Sequence, residues 1–156
     1  MGAFMKRSLA LVSLAFLCAL RADAGPRTIA AQRLVDEFVA DHPELAGLEL
    51  ALVLGADCRT VAATAREDVG EKCDGDELGP IRTGRPTVEP PSRKDPVYDI
   101  TQALHDPAGI VIGAAGMDLE PEPGATREAT LQHARSLLRE LERRIVSKDD
   151  LLAKVP

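Results

Sequence analysis

The sequence predicts an α+β fold: a five-stranded antiparallel sheet with a long helix before it and an amphipathic helix after it. Two pairs of strand-like segments, in residues 47–65 and 97–119, are each divided by a short turn sequence. Helical spacing of apolar residues precedes the first pair and follows the second. The two hairpins supply four strands, and the segment between them supplies the fifth.

The first part of the chain contains the predicted N-terminal helix and first hairpin. Residues 28–41 carry apolar side chains three and four positions apart, and Pro43 ends this pattern. Residues 47–54 alternate leucine with other residues, which predicts a strand with one buried face. A turn at residues 55–58 leads into a second predicted strand at residues 59–65.

A polar segment rich in glycine and proline, residues 66–96, connects the two hairpins. Asp74 and Glu77 have the spacing of a capping box, so a short helix is predicted over residues 74–83. A short strand is predicted at residues 87–89, because the two prolines that follow cannot donate to a sheet ladder. We expect this segment to be the ligand loop.

The second hairpin has the clearest turn. His105 to Gly109 reads His-Asp-Pro-Ala-Gly, in which proline presets φ and glycine supplies the positive φ that closes a turn. It joins predicted strands at residues 97–104 and 110–119. Thr126 is the predicted N-cap of the amphipathic C-terminal helix.

The N-terminus has the pattern of a secretory signal. A basic pair precedes an apolar run at residues 9–20, and Ala24 completes a small-x-small pattern of the kind that signal peptidase recognises. This run is shorter than the roughly 20 residues that a membrane span requires. We expect a signal peptide at residues 1–24, cleaved after Ala24, and a periplasmic or secreted protein without a membrane span.

The rest of the chain is acidic. Three of the 19 basic residues and one of the 25 acidic residues lie in residues 1–24, which leaves a formal charge of −8. This charge repels nucleic acid and anionic lipid, so neither is an expected partner. Beyond residue 24 only Phe38 and Tyr98 are aromatic, and the histidines have no metal-ligand spacing. No metal and no cofactor are therefore expected.

Cys58 and Cys73 are the cysteines that follow residue 24, and an oxidising compartment favours pairing them. A strand that starts at Cys58 carries the chain away at about 3.3 Å per residue. A disulfide requires Cα atoms within about 7 Å, so residues 67–72 would have to double back along the sheet. A disulfide, free thiols and an intermolecular bridge all stay open at this stage.

The order and spacing of these pieces resemble a Cache domain, an extracytoplasmic PAS-like sensor module. The matching pieces are LALVLGADCRTVAAT, DVGEKCDGDELGPIRTGRPTVEPP and PVYDITQALHDPAGIVIGAAGMDL, which together with the first helix span residues 28–119. The last piece ends in Gly-Met-Asp-Leu, similar to the closing strand of the family. The resemblance implies a single sensor domain at residues 25–124. Family members usually lie between two membrane spans, whereas the signal-like N-terminus here predicts a free-standing, secreted domain. Residues 125–156 would be a C-terminal helix that packs on the domain or extends it.

In Cache domains the ligand lies between the sheet and the variable segment, so the resemblance implies binding residues there. The small residues 114–116 would leave space for a ligand. Each candidate also has a plain interpretation, because charged side chains in loops are usually solvated. The candidate ligand-binding residues are Lys72, Arg82, Arg85, Tyr98, Thr101 and Asp118.

The chain contains no serine-nucleophile elbow, zinc-protease motif, Cys-x-x-Cys or phosphate loop, so we do not expect an enzyme. The predicted function is an exported domain that binds a small metabolite such as an organic acid and acts through a membrane-bound sensor or transporter. One alternative is a non-catalytic envelope scaffold or accessory protein without a ligand. Another is a periplasmic thiol/disulfide protein, which would need Cys58 and Cys73 adjacent and exposed.

Overall fold

A computed structural model describes residues 28–155; the predicted signal peptide lies outside the described residues. The strands are β1 (Thr28–Ile29), β2 (Leu45–Leu54), β3 (Asp57–Ala63), β4 (Thr87–Glu89), β5 (Tyr98–His105), β6 (Val111–Leu119) and β7 (Lys154–Val155). The helices are α1 (Ala30–Asp41), α2 (Gly75–Thr83), α3 (Arg127–Arg143) and α4 (Lys148–Leu152). Across residues 28–155, no helix has the length and apolar character needed to cross a membrane.

Five of the strands form one antiparallel sheet in the order β3-β2-β6-β5-β4. The predicted α+β fold with a five-stranded antiparallel sheet is therefore confirmed. The predicted turn of the second hairpin forms, with Gly109 at a φ of 78°. The Asp106 carboxylate accepts hydrogen bonds of 2.9 Å from the backbone N–H groups of Ala108 and Ile110, which holds this turn in shape.

The two faces of the sheet carry different side chains. One face, here called the core face, holds Leu50, Leu52, Ile100 and Leu104, each 0% exposed, beneath α1 and α3. Gln102 lies on the same face and donates a hydrogen bond of 3.3 Å to the backbone oxygen of a buried α3 residue. The opposite face, here called the cavity face, is partly covered by α2, which packs across β5 and β6.

The C-terminal helix α3 begins as predicted. The Thr126 hydroxyl accepts a hydrogen bond of 3.2 Å from the N–H of Ala129. The apolar stripe of α3, including Ala134, Leu137 and Leu141, is buried in the same core cluster as the side chains of α1 and the sheet. Helix α3 thus packs on the sheet and contributes to its core.

The first helix is shorter than predicted. Residues Thr28–Ile29 form β1, which pairs with β7 near the C-terminus, and α1 begins only at Ala30. The N–H of Ala30 donates a hydrogen bond of 2.8 Å to the backbone oxygen of Ala153. This long-range pairing satisfies backbone groups that the helix would otherwise have to cap, and local spacing could not reveal it.

Cys58 and Cys73 form a disulfide with their Cα atoms 5.3 Å apart. The chain after β3 turns back along the outer edge of that strand: Gly70 donates to the backbone oxygen of Thr60 at 2.8 Å, and Cys73 donates to that of Cys58 at 3.0 Å. This is the doubling back that the bond requires. The disulfide fixes the chain immediately before α2.

Candidate acidic cavity

A cavity of ≈ 270 Å³ opens on the cavity face, between the sheet and the chain that leads into α2. Strands β2, β5 and β6 form its floor, while the end of β3, the turn after it and the start of α2 form its rim. We call it the acidic cavity. Its lining residues are Gly47, Leu48, Glu49, Ala63, Thr64, Ala65, Asp68, Asp74, Asp76, Glu77, Asp99, Thr101, Gly116 and Asp118.

Cross-strand pairing places the polar floor residues in two adjacent rows. The first row is Gly47, Asp118 and Asp99, and the second is Glu49, Gly116 and Thr101. Asp99 and Asp118 therefore lie directly opposite each other on neighbouring strands. Like charges in this arrangement destabilise a sheet, so the floor is not optimised for stability.

Two glycines provide room on the floor. A Cβ atom on Gly47 would collide with the carboxylate of Asp118. A Cβ atom on Gly116 would lie 3.6 Å from Oγ1 of Thr101 and 3.8 Å from Cβ of Glu49. The absence of a side chain at Gly116 therefore leaves open the space between those two residues.

Thr101 is buried but opens into this space. Its relative exposure is 5%. Its hydroxyl makes no hydrogen bond within the part of the chain that the structure describes, where every fully enclosed side-chain polar atom has a partner. The hydroxyl is therefore accessible from the cavity that Thr101 lines. The side chain is otherwise buried, so its hydroxyl is placed to bond a molecule in the cavity.

Burial raises the pKa of all three floor carboxylates. For Asp99 burial is the largest cause and repulsion from Asp118 the next, and together with more distant charges they raise its pKa to about 6. The pKa of Asp118 is raised by burial and by neighbouring negative charges. Burial also raises the pKa of Glu49, although a hydrogen bond from the Thr60 hydroxyl acts in the opposite direction.

The rim carboxylates at the start of α2 have a structural role. The predicted capping box is confirmed: Asp74 accepts a hydrogen bond of 2.8 Å from the N–H of Asp76, and its own N–H donates one of 2.8 Å to Glu77. The partial positive charge of the helix N-terminus further stabilises these side chains. The floor carboxylates of Asp99 and Asp118 have no comparable compensation among residues 28–155.

No basic side chain balances the cavity. Its lining contains no Lys, Arg or His from residues 28–155. None of the ion pairs in this part of the chain includes a lining residue. Elsewhere on the surface, Asp36 pairs with Arg66 at 2.8 Å and Asp41 pairs with Arg144 at 2.9 Å. The floor thus combines half-buried negative charge with the absence of a basic partner among these residues.

Volume does not distinguish this cavity from other depressions. A larger one, of ≈ 440 Å³, lies against α3, but its Glu44 contacts His133 at 3.3 Å. Another, of ≈ 650 Å³, contains Glu142, which contacts His105 at 2.8 Å. Glu44 and Glu142 thus each contact a histidine, whereas Asp99 and Asp118 contact no basic side chain among the described residues.

The structure brings together two of the six predicted ligand-binding residues. Thr101 and Asp118 line the acidic cavity. Tyr98 does not, because it lies an odd number of residues from Thr101 on the same strand and therefore packs against the core face.

The three basic candidates also lie outside the cavity lining. Lys72 is exposed, and its backbone forms an antiparallel bridge with that of Arg59 on the outer edge of β3. Arg82 is exposed in the last turn of α2, and Arg85 is exposed after that helix. The basic cluster expected around a ligand is therefore not formed at this cavity.

Sequence reasoning missed Glu49 and Asp99, the other two floor carboxylates. Both occupy the polar positions of strands whose alternate positions are apolar, which is ordinary for a strand with one wet face. The informative signal is the composition of this polar face, which is rich in carboxylates and small residues and carries no basic residue opposite the carboxylates. Only the cross-strand register shows that they converge.

No protein-family model matches the chain, and no curated protein matches it in sequence. Solved structures resemble its fold. The GAF domain of a two-component sensor histidine kinase from Bacillus halodurans has 7% identity and a TM-score of 0.52, with 72% of this chain and 91% of that chain covered. A candidate GAF sensor protein from Burkholderia vietnamiensis has 13% identity and a TM-score of 0.51, with 72% and 73% covered.

The chain therefore has a PAS-like α+β fold of the kind found in GAF domains. The Cache family is not confirmed, although the related PAS-like fold that it implied is. At these identities the likeness concerns the fold, and any function must be argued from the cavity.

Proposed function

We propose that this chain is a small-molecule-binding domain of the sensor type, with its ligand in the acidic cavity. The observation that carries the proposal is Thr101, a buried residue whose hydroxyl has no hydrogen-bond partner among the described residues and opens into the space above Gly116. A pocket with a few convergent polar groups is the usual form of a ligand site. The likeness to the two GAF structures supports the proposal, because both are named as parts of sensor proteins.

The proposal includes export and action through a membrane-bound sensor or transporter. Export is supported by the signal-like N-terminus and by the disulfide between Cys58 and Cys73, since such bonds persist in oxidising compartments. The partner is proposed because a domain that only binds a small molecule needs a second protein to convert occupancy into a response.

The proposal does not retain the organic acid that the basic loop residues suggested. Lys72, Arg82 and Arg85 lie outside the lining, and the half-buried carboxylates of Asp99 and Asp118 would repel an anion. Nothing supports a redox function either, because Cys58 is only 8% exposed and bonded to Cys73.

A thermal-unfolding screen tests the proposal. Purified protein would be heated with organic acids, amino acids and polyamines, because a ligand that binds only the folded state raises the unfolding midpoint. At least one compound class should raise the midpoint in a concentration-dependent way. The same compound should act more weakly on Thr101→Val, which removes the hydroxyl and keeps the side-chain shape.

Thr130→Val is the matched control, because Thr130 is also 5% exposed but lies in α3, outside the lining. An equal loss in both variants, or no response to any compound, would contradict the proposal. The second result would favour a scaffold or accessory protein without a ligand.

A further inference from the structure

Resting on the proposed function, we infer that the ligand of the acidic cavity is an organic cation with at least two primary ammonium groups, of the linear diamine or polyamine class. The proposal depends on the charge arrangement of the floor, on the unpartnered Thr101 hydroxyl and on the side chains that the lining lacks.

A cation from outside the chain would stabilise the floor. Asp99 and Asp118 are half-buried, directly opposite each other, and without an ion pair or side-chain hydrogen bond among the described residues. A buried carboxylate is normally paired, because its charge is otherwise poorly solvated. A bound cation would satisfy both carboxylates at once, whereas a neutral ligand would leave their repulsion in place.

The Thr101 hydroxyl is an observation independent of charge, and it fits the same ligand. It lies in the row next to Asp99 and Asp118 and can accept a hydrogen bond as well as donate one. A primary ammonium group has three donors and no acceptor, so it can donate to two carboxylates and one hydroxyl. The floor offers this set of acceptors.

The rim favours a second positive charge. Asp68 and Asp76 line the cavity from the turn after β3 and from the first turn of α2, apart from the floor strands. A linear diamine can place one ammonium group on the floor and the other at the rim. A monoamine would leave one of these acidic groups without a partner.

Other cations fit less well. Within residues 28–155 no group of three or more His, Cys, Asp or Glu side chains is arranged to hold a metal ion. No aromatic ring from the described part of the chain lines the cavity, so a quaternary ammonium group would lack the cage that recognises it. The carboxylates are instead spread over floor and rim, which suits an extended organic cation.

Calorimetric titration of the purified protein with putrescine, spermidine, butylamine and succinate tests the ligand class. Putrescine should bind at least about tenfold more tightly than butylamine, because its second ammonium group forms further charged hydrogen bonds. Succinate, a dianion of similar length, should not bind. Equal affinity for putrescine and butylamine would overturn the requirement for two ammonium groups.

Variants locate the binding. Asp99→Asn and Asp118→Asn should each weaken putrescine binding by at least about tenfold, because each removes a charged acceptor and keeps the side-chain size. Asp149→Asn makes the same change of charge at an exposed position in the first turn of α4 and should leave the affinity unchanged. Equal weakening by all three would show a diffuse attraction to an acidic surface and would overturn the inference.

The remaining outcomes separate the inference from the proposed function. If calcium chloride binds as tightly as putrescine and both are lost in Asp99→Asn, the site holds a metal and the inference fails. If succinate or a neutral compound binds and depends on Thr101, the ligand class is wrong but the proposed function stands. If no compound binds in a way that depends on Thr101 or Asp99, both proposals fail.

Discussion

The two faces of the sheet are built from alternate residues of the same strands, yet they differ in almost every physical property. On the core face, Leu50 and Ile100 are 0% exposed and pack against α1 and α3. On the cavity face, Glu49 and Asp99 are half-buried carboxylates with raised pKa values. One face lowers the free energy of the folded state, and the other keeps charges that raise it.

This difference shows how a small domain can separate stability from binding. Because the side chains of a strand alternate between faces, one residue can contribute to the core while its neighbour lines a binding cavity. The core face supplies enough apolar burial to tolerate repulsion on the other side. Perturbed titratable groups in a cavity are a common mark of functional sites, and the carboxyl groups with raised pKa values among the described residues, Glu49, Asp99 and Asp118, all lie on the cavity face.

Truncation on the core face should have the largest effect on stability. Leu50→Ala should lower the free energy of unfolding by about 2–5 kcal/mol, because it leaves a cavity among fully buried side chains. The adjacent Glu49→Ala, on the opposite face, should change it by less than about 1 kcal/mol. Urea unfolding measures both, and equal losses would contradict the division between the faces.

Removing the disulfide should affect both stability and binding. Replacing Cys58 and Cys73 together by alanine should lower the free energy of unfolding by about 3 kcal/mol. This is the loss expected when the unfolded chain regains the conformational entropy that closing a loop of this length removes. Ligand binding should also weaken, because Asp74 of the rim follows Cys73 directly. Calorimetric titration of the folded variant with putrescine measures this second effect. An unchanged affinity would show that the disulfide does not position the rim.

Neutralising the floor should stabilise the protein without ligand. Asp99→Asn should raise the free energy of unfolding by up to about 1 kcal/mol, a modest gain because water screens a half-exposed carboxylate. The same variant should lose putrescine binding. Thermal unfolding without ligand measures the first effect, and a lower midpoint than that of the unchanged protein would contradict the repulsion described for the floor.

The pH dependence should follow the same group. Burial and repulsion from Asp118 raise the pKa of Asp99 from its ordinary value of 3.8 to about 6 in the folded protein. Between these values the folded state holds more protons than the unfolded state, so this carboxyl makes stability fall as pH rises through that window. Asp118, Glu89, Asp76 and Glu49 are the negative groups that face it from β6, β4, α2 and β2.

Putrescine affinity should change in the opposite direction, rising as Asp99 ionises. The Asp99→Asn variant should lose most of the fall in stability over that range of pH. Thermal midpoints measured at several pH values check both statements. Asp99 would not titrate as described if, without ligand, the midpoint rose steadily over this pH range and did so equally in the unchanged protein and in Asp99→Asn.

The fold was largely predictable from the sequence because its determinants are local. Alternation in β2, the Asp-Pro-Ala-Gly turn and the Asp74–Glu77 capping box each act over a few residues. The pairing of β1 with β7 was not predictable, since it joins the two ends of the described chain through backbone bonds that leave no side-chain pattern.

The site was less predictable because it depends on register. Leu104 pairs with Gly113 but His105 pairs with Val111, so β6 accommodates one extra residue, Ile112. Without this bulge Asp99 would lie opposite Met117 rather than Asp118. Spacing along the chain does not reveal such a bulge, so the convergence of the carboxylates became visible only in three dimensions.

Whether the cavity face binds an organic dication is tested most directly by a chemical-shift titration of the isotope-labelled protein with putrescine. We expect the largest backbone shifts on Glu49, Asp99, Thr101, Gly116 and Asp118, with smaller ones at the start of α2. Shifts centred on α3, or spread evenly over the acidic surface, would contradict it.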